Sequence, residues 1–224
     1  MDFDNSTVKQ ERLKNIAGIT VNDRTYNLII GLVLVWGIAI DIIMAMTMMN
    51  VILRMNPIVA LIIYIAGSFG CTMIVYKSSN PFISFAGFTG LAISMGLILC
   101  YFVSAYELGT VSLAFQLTAI ITVAMMILAT LFPQFFMNIG AGLGIALIIS
   151  IIVEVVAGLI LRMNMSIMDY VLVIIFCGYI GFDWAKAQAY PRTVDNAIDS
   201  AADIYVDIVN LFIRILSILG KKDD

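Results

Sequence analysis

The chain alternates between long apolar runs and short polar joints. Seven runs approach or exceed the ~20 residues a helix needs to cross the hydrocarbon of a bilayer. They are Tyr26–Met49, Pro57–Tyr76, Pro81–Val103, Val111–Phe132, Asn138–Leu161, Met168–Trp184 and Ala197–Leu219. None shows the two-residue alternation of a barrel strand. The joints carry turn and cap residues, as at Asn56-Pro57, from Lys77 to Pro81, and from Tyr190 to Arg192. Joints this short place consecutive helices antiparallel. The pattern predicts an all-α integral membrane protein, a seven-transmembrane helical bundle spanning 26–219. A cytoplasmic N-terminal segment, 1–25, precedes it and a short tail, 220–224, follows. No internal repeat or second domain is evident. Residues Met1 to Arg24 are polar and mixed in charge, unlike a cleavable signal.

Composition agrees with the pattern. Of 224 residues 62% are hydrophobic and 12% charged, against about a quarter charged in a soluble domain. The missing charge means that a lipid bilayer is the main partner. No basic cluster points to nucleic acid. Histidine is absent, which removes the usual general base and metal ligand. Proton chemistry is left to carboxylates, Tyr, Lys or Cys. Cys71, Cys100 and Cys177 all lie in apolar runs without metal-type spacing and read as free packing residues. Neither an enzymatic activity nor a resident cofactor is expected.

Positive charge sets orientation. With the N-terminus cytoplasmic, the inner segments hold Lys9, Arg12, Lys14, Arg24, Lys77, Lys186 and Arg192. The outer ones hold Arg54, Arg162, Lys221 and Lys222. This balance predicts a multi-pass protein of the cell membrane with its N-terminus inside. Gly140, Gly142 and Gly144 in the fifth run, and Gly178 and Gly181 in the sixth, read as sites of close backbone approach.

Charged groups kept inside apolar runs are the candidates for function, because each costs roughly 2.5–3.5 kcal/mol at a helix centre on insertion scales. They are Asp41, Glu154, Asp183, Asp207 and Arg214. The clearest pattern lies in the last run. Asp195, Asp199, Asp203 and Asp207 recur every four residues, drifting only ~40° per step around a helix. Asn210 and Arg214 continue the same broad face. Asp195 and Asp199 read as a solvated helix start, where acids suit the helix dipole. Asp207, three turns further in, does not. Asp183 is its natural partner, since the two are equidistant from Asp195 near the intervening turn. Two carboxyls at similar depth in low dielectric would share a proton. Such a pair is a proton sensor, a cation site, or both, with calcium suited to its hard oxygens. Lys77 is placed to engage that region. Asp41, Glu154 and Arg214 fall at comparable heights, as an outer charged cluster or one structural salt bridge.

The C-terminal third resembles the Bax inhibitor-1 family, also called the transmembrane Bax inhibitor motif family. The resemblance is carried by Gly181-Phe182-Asp183-Trp184 and by the stretch from Tyr205 to Leu216. Its core is Asp207, Asn210, Leu211 and Phe212. The resemblance implies a di-aspartyl pH sensor at Asp183 and Asp207 that controls a calcium leak. It also implies a central last helix, and a basic residue after the second span, here Lys77, that engages the pair. The short tails are similar to those of bacterial members. Some members carry an acid in the second span. None stands between Pro57 and Tyr76, so the pathway would use Asp41 or Glu154.

Three functions follow. The leading one is a pH-sensitive cation leak, for calcium first. A regulator that binds a membrane protease or channel without transporting is the alternative. An intramembrane aspartyl protease is the third, but Gly181-Phe182-Asp183 is not the Gly-x-Gly-Asp of those enzymes and no Pro-Ala-Leu is present.

Overall fold

A backbone inside a bilayer must satisfy its own hydrogen bonds, and apolar runs of this length do so as helices. The computed structural model describes residue 12, residues 19–160 and residues 166–220. Lys9, Lys14, Arg162 and the tail beyond Gly220 lie outside the described residues, as does most of the expected N-terminal segment. Seven long helices account for most of the rest: α1 Asp23–Thr47, α2 Pro57–Lys77, α3 Pro81–Ser104, α4 Leu108–Leu131, α5 Pro133–Val155, α6 Ser166–Ala189 and α7 Val194–Leu219. A single helical turn, Met49–Ile52, follows α1, and a π-helical turn, Val156–Ile160, extends α5. No strand occurs among the described residues, only an isolated bridge between Thr20 and Thr193.

The polar joints work as caps. The Asn56 side chain accepts from Ile58 N–H at 2.9 Å and Asn80 from Phe82 N–H at 3.0 Å. Each precedes a proline at the first helical position, where the missing N–H costs nothing. Asn22 caps α1 through Thr25 N–H at 2.8 Å.

The two largest departures from the apolar pattern lie at the start of α5 and the end of α6. Helix α5 begins at Pro133, because Phe132 alone ends α4 and starts α5. Helix α6 has 24 residues, longer than its apolar block, because Lys186 and Gln188 continue the helix beyond Trp184.

Six helices, α1 to α6, are long and apolar enough to cross a membrane. Their large apolar side chains are widely exposed, among them Ile42, Ile62, Ile120, Ile148 and Ile174. On a soluble protein a patch of that extent would demand a partner; here the bilayer is that partner, and the chain is a multi-pass membrane protein. Helix α7 has 26 residues but carries Asp195, Asp199, Asp203, Asp207 and Arg214, and falls short on composition. It is also the one long helix with no exposed residue.

The described residues divide into two compact units, and the dividing point falls within α7, after Tyr205. In the first unit α1 and α2 pack on α3. Phe88 of α3 meets Tyr205 edge-to-face at 5.3 Å. Gly37 of α1 lies under both rings, and a Cβ there would come within 2.8 Å of Phe88. An extended strap joins residues 19–21 to residues 192–194. In it, Val21 N–H donates to Arg192 C=O at 2.8 Å and Val194 N–H to Ile19 C=O at 3.0 Å.

The second unit holds α4, α5, α6 as far as Gln188, and α7 from Val206. Phe136, Ala129 and Ala185 form a buried cluster there, and Trp184 N–H donates to the Thr130 hydroxyl at 2.9 Å. The small residues admit rings rather than a second backbone. Phe136 lies on Gly181 and Phe182 on Gly140.

Candidate functional site

The acidic start of α7 is buried, not solvated. In the first unit Asp195 and Asp199 are each 1% exposed. The Ser84 hydroxyl of α3 donates to Asp195 at 2.7 Å. Arg12 enters this region from the N-terminal segment and is itself only 4% exposed. Its guanidinium donates to Asp203 at 3.0 Å, to the Ser200 hydroxyl at 2.8 Å and to Asn196 C=O at 3.3 Å. It lies 3.5 Å from Asp199 and stacks 4.2 Å from the Tyr190 ring centroid. Burial opposes its charge, but Asp203 and then Asp199 outweigh burial and push its pKa up, so the guanidinium stays protonated. The Tyr76 hydroxyl of α2 also donates to Asp203. The dipole argument for a solvated helix start fails because one arginine and two hydroxyls supply the solvation from within the protein.

Asp41, on α1 in the same unit, takes a different partner. The Tyr205 hydroxyl donates to its Oδ2 at 2.7 Å. Its Oδ1 is buried without a hydrogen bond. It lies against Gly96 of α3, where a Cβ would stand 3.0 Å from it. Asp41 belongs to the first unit, and Glu154 and Arg214 to the second. Lys77, at the end of α2 in the first unit, is exposed.

The second unit contains Asp183 on α6 and Asp207 on α7, each 7% exposed. Lys186, one turn after Asp183, forms an ion pair with it. The Tyr179 hydroxyl, one turn before, lies in the field of Asp207, Asp183 and Lys186 together. These four side chains share one neighbourhood. Asn210 spends its amide on Val206 C=O of its own helix, at 2.8 Å.

Arg214 grips Glu154 with two nitrogens, one of them 3.0 Å from Oε2. It also donates to Asp169 at 3.1 Å, and Ser217 donates to the other Asp169 oxygen at 2.8 Å. Glu154 stands two residues before the π turn, a distortion that often marks functional positions. Among the described residues no group of three or more acids or cysteines is arranged to hold a metal ion.

A family model described as inhibitor of apoptosis-promoting Bax1 matches residues 20–224. The chain belongs to this family. No curated protein matches it. The family match takes in all seven long helices and every acidic residue named above. Arg12 lies outside the stretch matched to the Bax inhibitor-1 family, although it is deeply buried against α7. Sequence reasoning counted Arg12 only toward topology. It counted Lys186 in the same way, although the i,i+3 spacing of Lys186 from Asp183 was a usable signal. It passed over Asp169 and Tyr76, which no spacing rule connects to α7.

Proposed function

We propose that this Bax inhibitor-1 family chain is a pH-sensitive cation leak, with calcium the favoured ion, gated by Asp183 and Asp207. The observation that carries the reading is that two carboxyls buried in the second unit, Asp183 and Asp207, both act on Tyr179, with Lys186 against Asp183. A proton added to or removed from such a group changes its charge by one unit in low dielectric, where that change is costly. The helix contacts that tolerate one protonation state then differ from those that tolerate the other. Lys186 takes the locking role that the resemblance gives to a basic residue at Lys77. Among the described residues no third acid completes a metal-binding group with them, and so sparse a ligand set suits a passing cation better than a resident one.

In this reading α7 is the seventh and central span, and the N-terminus is cytoplasmic. Its 26 residues rise about 39 Å, more than the ~30 Å of bilayer hydrocarbon. Its complete lack of exposed residues supports a helix surrounded by protein, which is where intramembrane charge is tolerated.

Calcium flux into liposomes holding the purified chain, measured across a pH series, tests this. Flux should vary with pH, and Asp183→Asn and Asp207→Asn should each flatten the profile. An unchanged profile in both variants rejects the gate. Absence of flux from the chain alone, with a membrane protein retained on purification, favours a regulator that does not transport.

A further inference from the structure

We infer that Asp41 is a proton-binding site, separate from the proposed gate, whose neutral carboxylic acid is held by the Tyr205 hydroxyl. Asp41 sits well inside α1, one of the helices apolar enough to cross the membrane. One hydrogen bond reaches it, from Tyr205 to Oδ2 at 2.7 Å. Oδ1 is buried and receives none. A carboxylate needs donors at both oxygens when water is absent, and the ionised form with one oxygen bare is far more costly than the neutral acid.

The surroundings confirm the shortage of compensating charge. From α3, Gly96 closes over Oδ1, and Cys100 is the titratable group within electrostatic reach. From α7 the titratable group is Tyr205, fully buried and packed against Phe88. On its own helix Met44 lies beside it, its sulfur also against Gly96. Thiol and phenol are both neutral near pH 7. No basic side chain pairs with Asp41 among the described residues. Oδ1 is the bare oxygen, buried and without a donor. The proton therefore resides on Oδ1, leaving Oδ2 as the carbonyl that accepts from Tyr205. Binding and release are a simple exchange: carboxylate plus proton gives the acid, with Tyr205 donating to the same oxygen in both forms.

Infrared spectroscopy of the full chain in lipid bilayers reads this directly. A protonated carboxyl has a carbonyl stretch above the amide band, and a carboxylate has none. At neutral pH that stretch should be present, fall slightly on transfer to heavy water, and vanish in Asp41→Asn. In Tyr205→Phe it should persist and move to higher frequency, because its carbonyl loses a hydrogen bond. That second variant decides the matter even if Asp41→Asn fails to fold. Asp183→Asn should leave the Asp41 stretch in place, which separates this site from the proposed gate whether or not the chain conducts calcium. A spectrum at neutral pH with no stretch sensitive to either Asp41→Asn or Tyr205→Phe overturns the inference.

Discussion

Asp41 and Glu154 set the same problem, a carboxyl within an apolar helix, and each unit answers it differently. Glu154 receives two nitrogens of Arg214, and the same arginine also holds Asp169. Asp41 receives one neutral hydroxyl and leaves its other oxygen bare. The first arrangement supplies a permanent counter-charge to the carboxyl. The second withholds donors and so favours the uncharged form. An acidic residue inside a membrane helix thus carries little meaning until its partners are known. The same residue class is a structural clamp in one unit and a titrating group in the other.

Removing the counter-charge should have the largest effect. Arg214→Ala leaves Glu154 and Asp169 without their cation and should cost about 3 kcal/mol. That is the low end for breaking a buried pair, because the Arg214 and Glu154 side chains are a quarter to a third exposed. Reversible unfolding in detergent or bicelles measures it, and a loss no greater than that of Asp41→Asn would erase the contrast. Next come the neutral isosteres. Glu154→Gln gives up a charged hydrogen bond and should cost about 2 kcal/mol. Asp41→Asn should cost less than about 1 kcal/mol, since an amide oxygen still accepts from Tyr205. Equal costs in the same unfolding assay would mean that Asp41 depends on its hydrogen bond as much as Glu154 depends on Arg214. Tyr205→Phe gives up one neutral hydrogen bond and should cost no more than about 1 kcal/mol. Repeated in an Asp41→Leu background it should cost almost nothing, because the hydrogen bond it removes is already gone. Additive losses would place the Tyr205 contribution elsewhere than on Asp41.

The helices were legible in the sequence because lipid imposes a length on apolar runs, and Asn-Pro joints announce where the next helix starts. The length of α6 was under-read, since hydropathy falls at Lys186 while the helix continues. The four-residue spacing of Asp195, Asp199, Asp203 and Asp207 was visible, but their burial was not. It depends on Arg12, which meets Asp203 across 191 residues of chain. A contact that remote leaves no periodicity to read. Glu154 and Arg214 were both marked by their cost in a span, and they do meet. The partner of Asp41 was obscured because Tyr205 is ordinary in an apolar helix, and a hydroxyl carries no hydropathy signal strong enough to single it out.

The charges on α7 also bear on how the protein is made. Taken alone, four aspartates and an arginine would discourage a helix of this kind from leaving the translocation machinery for lipid, at roughly 2.5–3.5 kcal/mol for each central charge. Every partner described for these charges precedes α7 along the chain: Arg12, Tyr76, Ser84, Glu154 and Asp169. When α7 emerges from the ribosome, each of them has already been synthesised. In the proposed seven-span arrangement its integration is then a folding step onto those partners, and damage to an early residue such as Arg12 would first be felt when the final helix arrives.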